Sequence, residues 1–431
     1  MNHFEHRNGR LYAEDVAIAD IAAAVGTPFF CYSTATLQRH YSVLAEALAP
    51  VGARICYAVK ANSNIAVIRT LAEMGAGADV VSAGEMRRAI AAGIDPADIV
   101  FSGVGKTEAE IAQALDADIG QFNVESDSEL RLIAALAAAR GLDAPVVLRV
   151  NPDVDAETHH KISTGRKEDK FGIEIDAAPA LYAEAATLNG VRPVGIAVHI
   201  GSQLTSLAPF RAAFLRVRQL VDALRAAGQK VERLDLGGGL GIPYIKEEPP
   251  APAAYAAMVA ETVGDLDVEL TVEPGRLLVG NAGILVTRAI RTKQTETKRF
   301  VIVDAAMNDF LRPTLYDAIH RVTPERLPAP DAPLSPAEIV GPVCETGDVL
   351  ASGAALADIA DGDILVIESA GAYGAVMGST YNTRPLTAEI MVNGAEYCVI
   401  RPRQDVDALI SLDRVPEWLE HFDTGSSRGA A

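Results

Sequence analysis

Cysteine is scarce in this chain: Cys31, Cys56, Cys344 and Cys398 are the four that occur in 431 residues. So few, so scattered, exclude a disulfide framework and a paired-cysteine zinc site, and any that matters should matter as a thiol. Positive charge is also short. Lys and Arg total 38 against 57 Asp and Glu, a formal charge of −19, and no basic run offsets it. Phosphate backbones reward clustered cations, so a nucleic-acid partner is excluded. No stretch approaches the ~18–20 apolar residues of a membrane span, and Met1-Asn2-His3-Phe4-Glu5-His6-Arg7 leads into no apolar signal segment. A cytoplasmic protein without a membrane partner is expected. With 49% hydrophobic residues the chain can bury a large core over two or three domains.

From Arg54 onward, short apolar runs rich in β-branched residues alternate with Ala-rich segments of helical periodicity. Eight runs read as strands: 54–60, 78–82, 98–103, 119–124, 145–151, 194–200, 233–237 and 270–273. Helices are expected between them, for example over 65–75, 84–93, 107–115, 126–140 and 209–228. Thr107 and Ser126 stand where N-caps belong, and Gly75, Gly93 and Gly141 where helices stop. Runs apolar on both faces suit a parallel sheet covered by helices, and eight β-α units suit an α/β fold of the (β/α)8-barrel class better than an open doubly wound sheet.

After about Asn281 the helical segments give way to alternating strands, including 300–303, 363–368 and 386–392, with Asn393-Gly394 as a type I′ hairpin signal. A C-terminal, mostly-β domain of sandwich or barrel form is therefore expected over 281–422. The barrel is assigned to 31–280 and a flexible tail to 423–431. Residues 1–30, with an Asn8-Gly9 turn, are expected to join the β domain. Leu327 to Pro336 reads as a surface loop and 407–422 as a short C-terminal helix.

The active site of such a barrel lies at the C-terminal ends of its strands, and the unusual residues fall there. The first strand ends in Tyr57-Ala58-Val59-Lys60-Ala61-Asn62, the fifth in Arg149-Val150-Asn151-Pro152 and the sixth in His199-Ile200-Gly201-Ser202-Gln203. The seventh runs into Gly237 to Gly241 and the eighth into Glu273-Pro274-Gly275-Arg276. A lysine desolvated in the mouth would have a lowered pKa suited to Schiff-base chemistry. A Gly-rich turn lets backbone N–H groups approach a phosphate. Glu273 facing the same pocket would keep a pyridinium nitrogen protonated. Taken singly, Lys60 is an ordinary surface lysine, His199 a core histidine and the glycines a turn; their common end is what carries the reading.

Two patterns mislead. Gly103-Val104-Gly105-Lys106-Thr107 imitates the end of a P-loop, but position 100, where the first glycine belongs, is Val100. Asp153, Asp155, Glu157, His159 and His160 invite a metal, yet they match neither a calcium loop nor an i, i+4 His pair. No metal is expected. The loop from Asp153 to Lys170 leaves the catalytic end and reads as a lid or specificity element.

Together these residues resemble the (β/α)8-barrel, pyridoxal-phosphate-dependent decarboxylases of the alanine racemase-like fold, and within them the diaminopimelate decarboxylase branch. The resemblance runs from Ile21 to Glu389. Beyond the strand ends above, its motifs are Ile162-Ser163-Thr164-Gly165, Lys170-Phe171-Gly172-Ile173, Cys344-Glu345-Thr346-Gly347-Asp348 and Gly371-Ala372-Tyr373-Gly374. It implies that Lys60 carries pyridoxal 5'-phosphate, that His199 stacks on the ring and that Glu273 pairs with its nitrogen. Ser202, Gly238, the Gly275-Arg276 backbone and Tyr373 would hold the phosphate. Arg276, Arg312, Tyr316 and Tyr373 would meet the substrate. Cys344, the implied acid, and Glu345 would enter from the second subunit of a homodimer.

The implied reaction is decarboxylation of meso-2,6-diaminopimelate to L-lysine and CO2, the last step of lysine biosynthesis. Glu345 would separate this branch from ornithine decarboxylases, which resemble the pattern but carry Asp after the Cys. Thr346, where Ser is common, keeps the hydroxyl. The competing readings are another amino-acid decarboxylase or a racemase on this scaffold, and a cofactor-binding homologue without turnover; product analysis separates all three.

Overall fold

The computed structural model describes residues 2–155, 164 and 169–420. Eight parallel strands close on themselves: β1 (Arg54–Ala58), β2 (Gly77–Val80), β3 (Ile99–Phe101), β4 (Gln121–Val124), β5 (Ala144–Asn151), β6 (Val191–Val198), β7 (Arg233–Asp235) and β8 (Glu269–Val272). Each pairs with the next, and β8 returns to β1 through Thr271 opposite Arg54. All eight expected strands are present, and six of them stop one to two residues short of the expected end, where the chain turns into the active-site loops. A ninth short strand, Ile173–Glu174, adds to β5 outside the ring.

The helices between them form where the sequence places their caps. Thr107 closes a full capping box with Glu110, and the Ser126 side chain accepts from the Glu129 N–H; such a cap stabilises a helix by about 1 kcal/mol. Gly75, Gly93 and Gly141 have φ of 99°, 91° and 68°, the left-handed stops that only glycine takes without strain. Inside the ring Gln121 and Asn123 reach Asp235, and Val147, Val194 and Ala197 form a small apolar cluster of their own, while the alternate residues, among them Phe101 stacked on Phe122 at 6.3 Å, join the larger core shared with the helices.

The β domain is built on the 12-residue strand Gly283–Gln294, which the sequence reading did not isolate. Its first half is buried on both faces and its second half exposed, so it never alternates with period two. The sheet runs in the order Val349–Leu356, Ser335–Val340, Arg299–Val303, Gly283–Gln294, Phe29–Ser33, Ala388–Asn393, Glu396–Arg401. Phe29–Ser33 therefore corrects the expected boundary at residue 31: it lies inside the β-domain sheet, and the barrel's first helix opens at Thr34, capped by Ser33. Residues 4–17 form a separate three-stranded sheet whose Leu11, Ala13 and Val16 pack on Phe29, Cys31, Ile284 and Ile390 of the β domain.

Smaller differences have local causes. At Asn8-Gly9 both residues have positive φ, as a type I′ turn demands, but the second hairpin pairs Asn393 with Glu396, so Gly394 is its first central residue and Asn393 stays in the strand. The expected surface loop ends early because Ser335 and Pro336 already pair with Leu356 and Ala355. The expected C-terminal helix is two, Val406–Ile410 and Glu417–Glu420, with Pro416 before the second. The expected tail, Ile162, Ser163 and Gly165 of one motif, Glu157, His159 and His160, and most of the expected lid lie outside the described residues. Among the described residues no helix is long and apolar enough to cross a membrane, and no group of three or more side chains could hold a metal ion.

Candidate active site

The C-terminal end of the barrel opens into a pocket lined by Lys60, His199, Ser202, Gly237 to Leu240, Glu273 to Leu277 and Tyr373. β1 stops at Ala58, and a single 3-10 turn, Val59–Ala61, buries its two flanking residues and turns Lys60 into the mouth. The Lys60 ammonium donates to Asp79 Oδ2 at 2.6 Å. This reverses one expectation. Burial by itself depresses the lysine, but Asp79 and Glu273 outweigh it and hold the ammonium above its ordinary value.

Asp79, on β2, is fully buried, with its second oxygen unpartnered. Below it lie Asp235, at the end of β7, and Glu273, linked through Asn123, whose amide donates to Asp235 at 3.3 Å and to Glu273 at 3.4 Å. Burial raises both carboxyls, and their mutual repulsion and Asp79 push Glu273 further, well above the usual carboxylate range. Three buried carboxyls thus lie close to one lysine, with Asp79 bonded to it and Glu273 pushed toward its protonated form by burial and by its neighbours.

His199 follows β6. Burial, then Arg149 and Lys60, keep the imidazole well below its ordinary pKa. Its Nδ1 accepts the Gly238 N–H at 3.1 Å, so the ring is neutral with its proton on Nε2. That N–H is the one the resemblance directs at a phosphate; here it serves the imidazole. The glycines have no alternative: a Cβ on Gly238 would stand 2.1 Å from the Glu273 carbonyl oxygen, and one on Gly237 2.4 Å from that of Val198.

Arg276 opens a short helix after β8. One guanidinium nitrogen donates to Ser202 Oγ at 3.0 Å and the other to Tyr244, while Nε, buried, meets no acceptor. Tyr373 covers it at 4.8 Å. That ring arrives from the β domain, where the Tyr373 N–H bonds Ala61 O at 2.7 Å and Asn62 bonds Gly371 O at 3.2 Å, stitching the first barrel motif to the last; Tyr373 takes φ 54° to make the contact.

Arg312, on the helix Arg312–Tyr316, also lies against the Tyr244 ring, at 5.1 Å. Its Nε donates to Nε2 of His320 at 3.2 Å, and His320 Nδ1 lies 2.9 Å from Glu368 O. The carbonyl can only accept, so the Nδ1 carries the proton; burial and Arg312 push this imidazole down to about 3. Arg276 and Arg312 are each 5% exposed, and among the described residues neither is paired with a carboxylate. Cys344 and Glu345 do not line this pocket: both are exposed on a β-domain loop.

The sequence reading missed Asp79, Asp235, Asn123, Tyr244 and His320. For the two aspartates a signal existed, a lone charge inside an apolar strand (Ala78-Asp79-Val80, Leu234-Asp235-Leu236). The P-loop look-alike is structural: Lys106 is buried and donates to Gly103 O, Asn123 O and Glu129.

A lysine, a neutral histidine and a buried carboxyl converging at the mouth of a (β/α)8 barrel, beside a β domain that supplies Tyr373, define a pyridoxal-phosphate-dependent decarboxylase. The family described as pyridoxal-dependent decarboxylase, pyridoxal binding domain, matches residues 34–280. The chain is 50% identical over 412 residues to a diaminopimelate decarboxylase of Pseudomonas aeruginosa, covering 95% of this chain and 98% of that one. It is 47% identical over 421 residues to that of Zymomonas mobilis, covering 96% and 99%. The crystal structure of diaminopimelate decarboxylase from M. jannaschii in complex with L-lysine superposes with a TM-score of 0.93 at 35% identity, covering 97% of this chain and 100% of that one. The chain belongs to the diaminopimelate decarboxylase family.

Proposed function

We propose that this protein decarboxylates meso-2,6-diaminopimelate to L-lysine and CO2, closing lysine biosynthesis, with pyridoxal 5'-phosphate as cofactor. The observation that carries it is the pair of buried guanidiniums, Arg276 and Arg312, both against the Tyr244 ring and, among the described residues, neither paired with a carboxylate. A substrate with two carboxylates leaves one for the arginines while the other departs.

The pocket fits the cofactor. Lys60 offers the amine, Gly237 to Gly239 line the pocket with backbone alone, and the unpartnered Arg276 Nε points to an anion. Ser202, Tyr373 and the Gly275-Arg276 backbone would hold the phosphate, with Gly238 beside it. When bound, the cofactor supplies an electron sink for the pair left at Cα. Glu273, whose burial favours a bound proton, would pair with the ring nitrogen, and the neutral His199 would face the ring without adding charge. Lys60 would hold the cofactor through its amine, and Asp79 orients that side chain.

Tyr316 helps Arg312 at the distal carboxylate, Glu345 receives the distal amino group, and Cys344 returns the proton. Because the last two stand away from the pocket of their own chain, the working unit is a homodimer in which each subunit completes its neighbour's site. The reduced thiol this assigns to Cys344 suits the cytoplasm.

The test is direct: the cofactor-loaded protein is given meso-diaminopimelate, ornithine, arginine and alanine separately, and products are identified by mass and chirality. L-lysine and CO2 from diaminopimelate alone are expected; turnover of another amino acid would discard the substrate assignment. Glu345→Asp shortens the reach to the distal amine and is expected to raise KM for diaminopimelate about tenfold; an unmoved substrate profile removes Glu345 from that role. His320→Ala takes away the acceptor that aims Arg312, and a similar KM rise with kcat little changed is expected from steady-state kinetics.

A further inference from the structure

The loop that carries Cys344 and Glu345 is held by two neighbouring residues from a different part of the chain. Tyr381 donates its hydroxyl to Glu345 Oε1 at 2.6 Å, and the Asn382 side-chain oxygen accepts the Cys344 N–H at 3.1 Å. Consecutive residues thus grip consecutive residues, 36 and 38 positions apart. The gripping turn is strained: Asn382 has φ 55° and the β-branched Thr383 has φ 56°. Asparagine tolerates the left-handed region, threonine does not, and such strain persists only where the surroundings impose it.

The surroundings here are firm. Ser379, before the turn, bonds Asn308 O at 2.8 Å, and Asn308 returns a bond to Ser379 O at 3.3 Å. On the opposite side Asp348 accepts from Val343 N at 2.7 Å and from Met307 N at 2.6 Å, closing the base of the Cys344–Glu345 loop. Thr314, on the helix of Arg312, donates to Gly347 O at 2.9 Å. The loop tip is exposed, yet the Glu345 carboxylate and the Cys344 backbone N–H are each held by a partner from the same chain.

We infer that Tyr381 and Asn382 are positioning residues: Tyr381 orients the Glu345 carboxylate that selects the distal amine, and Asn382 fixes the backbone from which the Cys344 thiol is presented. This rests on the proposed roles of Cys344 and Glu345 and divides them, since one grip bears on recognition and the other on proton return. A hydroxyl bonded to a carboxylate narrows the rotamers that carboxylate samples, and a free Glu345 would lose more entropy on meeting the amine. Neither residue falls within the motifs that carry the sequence resemblance, the last of which ends at Gly374.

The experiment compares wild type, Tyr381→Phe, Asn382→Gly, Glu345→Ala and the double variant Tyr381→Phe/Glu345→Ala, each as the full, cofactor-loaded chain. Glycine keeps the left-handed turn of residue 382 while removing its side chain, and phenylalanine keeps the ring of the partly exposed Tyr381, so both variants fold. Tyr381→Phe is expected to raise KM for meso-diaminopimelate roughly tenfold, with kcat within about twofold, and to weaken L-lysine binding by calorimetry to the same extent. In the Glu345→Ala background the same change should do less than about twofold, because the hydroxyl then has nothing to orient. Asn382→Gly is expected to lower kcat about tenfold with KM nearly constant and the visible absorbance of bound cofactor unchanged.

A KM unmoved by Tyr381→Phe, or a rise that persists undiminished without Glu345, overturns the assignment of Tyr381. An unmoved kcat in Asn382→Gly overturns that of Asn382. Wild type run alongside separates the two levels: no lysine from wild type overturns the functional reading and this inference with it, whereas normal wild-type turnover with unmoved variants overturns the inference alone.

Discussion

Replacing Lys60 with alanine is expected to abolish the visible absorbance of protein-bound cofactor and to lower kcat by roughly four orders of magnitude, the joint loss of a covalent anchor and a proton-transfer group. The variant has a second consequence. Asp79 is fully buried, and Lys60 is its ion-pair partner. Removing one member of a fully buried pair costs about 3–5 kcal/mol; the Lys60 side chain is 34% exposed, so the loss should be smaller, but the alanine variant will melt earlier. Lys60→Arg separates the two effects. It keeps a cation beside Asp79 and supplies no primary amine, so it should melt near wild type and be as inactive as the alanine variant. Visible cofactor absorbance retained in either variant would remove Lys60 from its role.

The second large effect is the recovery of activity from two dead proteins. Lys60→Ala and Cys344→Ala are each expected to be nearly inactive. If every site joins Lys60 of one subunit to Cys344 of the other, a mixed dimer carries both defects in one site and none in the other. After dissociation and random reassembly in equal amounts, half the dimers are mixed and half their sites intact, so about a quarter of wild-type activity should return. A site complete within one chain would return none. The exposure of Cys344 and Glu345, away from the pocket of their own chain, is the reason for expecting recovery.

The barrel was legible because its signals are local. Eight apolar runs, their caps and their glycine stops each declare themselves within a dozen residues, and Lys60, His199, Glu273 and Arg276 could be gathered because a barrel brings strand ends together. What stayed hidden depends on contacts far apart in the chain. The sign of the Lys60 shift turned on Asp79, 19 positions away on the next strand. His320 reads as a loop residue until Phe310 and Tyr244 close on its two sides and Arg312 finds its nitrogen. The strand Gly283–Gln294 was missed because half of it is core and half is rim, a pattern no single periodicity describes.

The strand Phe29–Ser33 sets the order in which the molecule can be made. Its partners are Gly283–Val286 and Ala388–Val392, so during synthesis it leaves the ribosome some 250 to 360 residues before the strands that cover it. At about 5–20 residues per second, Phe29-Phe30-Cys31-Tyr32 waits tens of seconds while the barrel forms behind it. A chain cut after residue 280 would keep the whole barrel and leave this apolar edge permanently open. Such a fragment should bind chaperones or aggregate, and catalysis and solubility are thereby tied to completing the same last hairpin.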